Sequence, residues 1–283
     1  VGLKRCSGLA QLQSRREFEM SKGSLCMRAL LLSIATVIST SGCAKDYSMA
    51  PRPDGEKVTL TMKVSDELEP DPVSVMYRSA ICQSVFRDGD ERPETLDGHK
   101  GYEVRPLPQA DSGLYKTELY INGGGPCDWR LSSVVFGINY RAPNRFGKDV
   151  ASGTGGTIIV RFDENNPPLS VGRARDVTGS DLRIVTDYYP WVNENFIGGY
   201  TKRASLSGEG RGYLTYKAHQ ARNIYFEPIL HSDLVVTSVS PKKQVIGDFI
   251  RFYYPDGTIE SNGQSMPDFK KMQKIRLSAE AKK

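Results

Sequence analysis

From Val58 onward the chain alternates. Val58, Leu60, Met62 and Val64 are separated by Thr59, Thr61 and Lys63, the period of a strand with one face buried. The same period marks Val73 to Phe86, Tyr102 to Leu107, Leu114 to Ile121, Leu131 to Tyr140 and Gly156 to Phe162. It returns at Leu182 to Tyr189, Gly212 to Lys217, Ile224 to Leu230 and Leu234 to Ser238. Phe249 to Tyr254, then Pro255-Asp256-Gly257, reads as a hairpin, and Lys274 to Leu277 as a closing strand. No apolar run keeps helical spacing beyond three turns. The pattern predicts an all-β fold with short strands and frequent turns, as in sandwiches. Residues 163–181, rich in Asn, Pro, Gly and charge, read as a linker. Two tandem β-sandwich domains are therefore expected, at 57–168 and 169–283, although one large sandwich would also fit the length.

One stretch breaks the strand pattern. Met27 to Cys43 opens with Arg28 and runs fourteen residues, Ala29 to Gly42, without charge. That is short of the ~20 needed to span a bilayer, and suits the core of a signal peptide. Thr40-Ser41-Gly42-Cys43 resembles a lipobox, with Thr40 where Leu is commonest. The resemblance implies a bacterial lipoprotein signal over 27–43, lipidated at Cys43. Residues 1–26 then read as an upstream extension, since Met20 and Met27 are better starts. Residues 44–56, polar with two prolines, read as a tether. Ala44, rather than Asp, after the cysteine resembles export to the periplasmic side of the outer membrane.

The leader changes the charge balance. It carries Lys4, Arg5, Arg15, Arg16, Lys22 and Arg28 against Glu17 and Glu19, so the formal net charge of +5 falls to about +1 without it. Nucleic-acid binding, which needs a real positive field, loses its support. Two of the five cysteines, Cys6 and Cys26, go with the leader and Cys43 takes the lipid. Cys82 and Cys127 remain, in a compartment where disulfides persist; two buried free thiols are the other reading.

Motifs for chemistry are sparse. There is no GxSxG elbow, no HExxH and no phosphate-binding loop. His231-Ser232-Asp233 places triad residue types side by side, but neighbours on a strand point to opposite faces. Asp88 to Glu91 and Asp163 to Asn166 read as solvated turns, because calcium-loop spacing is missing. The glycine-rich stretches 152–156 and 208–212 are not followed by a helix that would cradle phosphate. No enzyme, metal or cofactor is expected. Trp129, Tyr188, Tyr189 and Trp191 are candidates for partner contact, since aromatics concentrate in binding hot spots; a core corner is the competing reading.

One block is more distinctive. Ile81-Cys82-Gln83-Ser84, Gly101-Tyr102, Pro106-Leu107, Leu114 to Ile121 and the run Gly123 to Ser133 (GGGPCDWRLSS) together resemble periplasmic lipoproteins of Gram-negative bacteria that act as type VI secretion immunity proteins. The resemblance spans 27–140. It implies a membrane-anchored inhibitor of an antibacterial effector, often a lipase, and carries over the lipidated cysteine and the cysteine pair. It assigns no effector-contact residues. The alternative is a structural or ligand-binding lipoprotein of the envelope, and a hydrolase with an unfamiliar site stands third.

Overall fold

The computed structural model describes residues 45–110, 112–165 and 174–282. Cys43 and the signal segment lie outside the described residues. Before the expected linker come β1 (Lys57–Lys63), β2 (Leu68–Pro70), β3 (Val73–Arg87), β4 (Pro93–Val104), β5 (Leu107–Pro108), β6 (Leu114–Tyr120), β7 (Asn122–Gly124), β8 (Trp129–Tyr140), β9 (Ala151–Ser152) and β10 (Gly156–Arg161). After it come β11 (Arg175–Asp176), β12 (Asp181–Asn195), β13 (Thr201–Gly208), β14 (Tyr213–Lys217), β15 (Asn223–Leu230), β16 (Val236–Val239), β17 (Arg251–Tyr253) and β18 (Ile259–Glu260). The helix α1 (Phe269–Glu280) follows.

The fold is all-β, built on two sheets. The first runs β11-β14-β10-β8-β3-β4, with β2 and β7 also on β8. The second runs β18-β17-β16-β12-β15-β1-β6-β5, with β13 and β9 attached beside β12. Apolar positions of both sheets meet in one core: Leu60 and Phe226 from the second, Val75 and Phe136 from the first. Phe136 and Phe226 touch edge to face across it, centroids 5.6 Å apart.

The expected division at 168/169 is corrected by this topology. β1 pairs in parallel with β15, and β10 with β14, so each sheet interleaves strands from both halves. The residues from Asp46 onward form one compact unit. Alternation marks which face of a strand is buried but not which strand it pairs with, so an Asn/Pro-rich stretch within one unit carries the composition of a domain boundary.

The closing strand is corrected too. Lys274 to Leu277 lies inside α1, whose first turn is capped by Asp268; its carboxylate accepts from the amides of Lys270 and Lys271 at 2.8 and 3.2 Å. Phe269, Met272 and Ile275, three apart, pack into a second cluster with Tyr189, Trp191, Val236 and Phe252. The second sheet is therefore covered on both faces near β12. That explains the unbroken apolar run from Tyr188 to Val192: Tyr188 faces the main core and Tyr189 the helix. Among the described residues no helix is long and apolar enough to cross a membrane.

Candidate partner-binding surface

The segment expected to be a tether is held on the body from Tyr47 onward. The Trp129 indole and the Lys100 ammonium donate to the Tyr47 carbonyl at 3.2 and 2.8 Å, and the Ala50 amide donates to Gly123. The Asp46 carboxylate accepts from the Ser48 amide, which holds it below the ordinary carboxylate range. This docking is why the chain reads Gly123-Gly124-Gly125. A Cβ on Gly124 would lie 2.5 Å from the Ala50 carbonyl, and one on Gly125 2.1 Å from that of Ser48; both residues also have positive φ.

Beside this junction Cys82 and Cys127 form a disulfide, with Cα atoms 5.3 Å apart. Cys82 sits where the β3–β4 register shifts, between Ser79 and Ser84. The Ser79 hydroxyl donates to the Cys127 carbonyl and accepts from the Cys82 amide, which the shift removes from the ladder.

Beyond the disulfide β3 and β4 continue as a two-stranded arm. Ser84 to Arg87 pair with Leu96 to Pro93, a ribbon of roughly 13 Å before the turn. Among the described residues nothing covers either face of the ribbon: Val85 is 68% exposed and Leu96 51%, with Phe86 also exposed, and Ile81 at its root is 63% exposed. The turn at its tip is closed by the Asp88 carboxylate, which accepts from the amides of Asp90 and Arg92. The Asp88 to Glu91 acidic run thus closes a hairpin.

The opposite end carries a second feature. β12 runs parallel to β15, and β15 parallel to β1, so the turn after Asn195 lies far from the point where the chain enters β1. There Phe196 faces the 241–250 loop across a notch of about 470 Å³, lined also by Lys242, Lys243, Val245, Phe249 and Tyr253. The Ser240 hydroxyl accepts from the Phe196 amide and ties the two loops together. Ile246 stands fully exposed at the apex of a turn closed by the Asp248 amide on the Val245 carbonyl.

The four aromatic candidates are not on either surface. Trp129, Tyr188, Tyr189 and Trp191 are all buried. Trp129 packs under the disulfide end, while Tyr189 is flanked by His231 and Phe269. The Trp191 indole donates to Ser238 at 2.8 Å. Tyr188 occupies a slot between Gly156 and Gly208, where any Cβ would lie within 2.4–2.6 Å of its ring. They are core residues, and the glycines of two of the glycine-rich stretches make room for one of them. The apolar run that suggested a hot spot is a strand buried on both faces.

His231 pairs with Asp187, not with its sequence neighbours. Its Nε2 lies 2.7 Å from Asp187 Oδ1, and Gln273 of α1 donates to Oδ2 at 2.8 Å. Burial pushes the Asp187 carboxyl up, but these hydrogen bonds outweigh it and the net shift is downward. Ser232 bonds instead to Glu67. The constellation docks the helix on the sheet and brings no hydroxyl to the imidazole. Among the described residues no group of three His, Cys, Asp or Glu is placed to hold a metal ion.

The arm residues Ile81, Val85 and Leu96 escaped the sequence reading. Ile81 and Val85 continue the odd-numbered phase of Val73, Val75 and Tyr77, which faces the core. The register shift at Cys82 takes them out of it. Comparison with family models, curated proteins and solved structures finds no match.

Proposed function

We propose that the chain is a membrane-anchored periplasmic immunity protein that binds and inhibits a type VI secretion effector, a lipase being the leading candidate. The observation that supports this best is the arm: a ribbon rooted at a disulfide, with apolar side chains on both faces. An isolated two-stranded ribbon is marginal in water, so one kept exposed is suited to burial against a partner. Lipid at Cys43 would place that end at the membrane. Two residues separate Cys43 from Asp46, a reach of about 10 Å over three Cα–Cα steps, and the chain is docked from Tyr47 onward. Localisation on the periplasmic face of the outer membrane follows from the same reading. A lipase acting on the bilayer would meet the arm where it works.

The test is competition between sister cells. Deleting this gene alone should sensitise a strain to siblings that deliver the cognate effector, and the lipidated form should restore protection. A deletion strain that survives contact as well as its parent, with delivery demonstrated, would end the immunity reading. A ligand-binding lipoprotein is the second reading. The notch at the far end, with two lysines over an apolar floor, supports it.

A further inference from the structure

Among the described residues the main run of strands in each sheet ends at two edges, and these four are not alike. β5 and β18 close the second sheet with two residues each, and β11 closes one side of the first with two. Very short edge strands are a common way to deny pairing to other chains. β4 closes the remaining side with twelve residues, and among the described residues β3 is its strand neighbour. A row of backbone donors and acceptors is left open there.

The side chains of β4 divide by parity. Leu96, Lys100 and Tyr102 share one face with the disulfide and the docked segment: Tyr102 stacks on Tyr77, and Lys100 reaches Tyr47. Asp97, His99 and Glu103 share the other face, with His99 opposite Arg78 and Glu103 opposite Ser74. From Leu96 to Val104 one face of the open edge therefore offers apolar surface at Leu96 and Tyr102, both exposed, and the other offers two carboxylates, while Glu94 lies on the Leu96 face nearer the tip. Like charges facing each other weaken pairing of this edge with a copy of itself.

We infer that β4 is an acceptor edge for strand addition by a protein partner. The incoming segment is extended, free of proline in its centre, apolar on the face toward Leu96 and Tyr102, and basic on the face toward Asp97 and Glu103. Main-chain bonds supply the affinity and the alternate side chains the selectivity. The inference rests on the reading that this chain acts by binding a protein, and it names the mode of that binding.

The test uses a displayed library of random twelve-residue peptides selected on the purified mature chain. The synthetic peptide that wins is then added while amide exchange is followed residue by residue. Strand addition predicts that every second amide of Pro93–Val104 slows at least tenfold, because alternate amides point outward. A proline placed at an amide that exchanges freely in the unbound chain should abolish peptide binding and leave the fold intact. Failure to enrich any peptide, protection confined to the 195–201 and 241–250 loops, or β4 amides already protected in a dimer of the chain alone would each overturn the inference. Immunity in cells without peptide addition would remove this inference alone. Peptide addition without immunity would remove the effector reading and leave the acceptor edge standing.

Discussion

β3 runs from the body into the arm and β4 returns from the arm to the body, and the two portions are stabilised by different physics. Val73, Val75 and Tyr77 are buried against the facing sheet. A few residues later Ile81 and Val85 project into solvent from the same strand. In the body, order comes from apolar burial. In the arm it comes from a ladder on one side, an Asp-closed turn and a covalent root. Substitutions should therefore separate cleanly: body positions set stability, and arm positions set binding.

The largest effect belongs to the core. Phe226→Ala removes a ring that bridges the two sheets against Phe136 and should cost about 3–5 kcal/mol in denaturant unfolding. Val85→Ala in the arm should cost under about 0.5 kcal/mol by the same assay. Equal losses at the two sites would dissolve the distinction.

Next comes the root. The disulfide closes a separation of 45 residues, and replacing both cysteines by serine should cost about 3–4 kcal/mol in the chain-entropy account. Exchange at Ser84 to Leu96 should rise beyond what global unfolding explains. If exchange rises uniformly, the disulfide does not specifically hold the arm.

The helix is a smaller lever. Asp268→Ala removes the cap of α1 and should lower stability by about 1 kcal/mol. Acid should loosen the same helix. Asp187 is held below its unfolded value, so its contribution is complete above about pH 4 and fades as pH falls through the folded pKa. Protection factors of α1 amides, corrected for the intrinsic pH dependence of exchange and followed from neutral pH to pH 2, should fall before those of β8.

Much of this was legible from the alternation. The strands at Val58, Leu114, Leu131, Gly156 and Ile224 stand close to where their period placed them. The Cys82–Cys127 pairing is present as well. Partnership was not legible, because period reports a buried face and not a neighbour; hence the lost domain boundary. Nor was α1, since a twelve-residue helix that buries a single residue fully, Met272, leaves little periodic signal. The aromatic residues misled for a related reason. Tyr188 to Trp191 look like a patch in sequence, but strand geometry sends them to two separate cores.

The most direct measurement of the central claim compares two triple variants in the sister-cell competition, at matched protein levels and matched melting temperatures. One carries Ile81→Ser, Val85→Ser and Leu96→Ser in the arm. The other carries Val245→Ser, Ile246→Ser and Phe249→Ser at the opposite end. The arm variant should lose protection and the far-end variant should keep it. Full protection by the arm variant, with loss in the far-end variant, would contradict the account and move the contact surface to the notch.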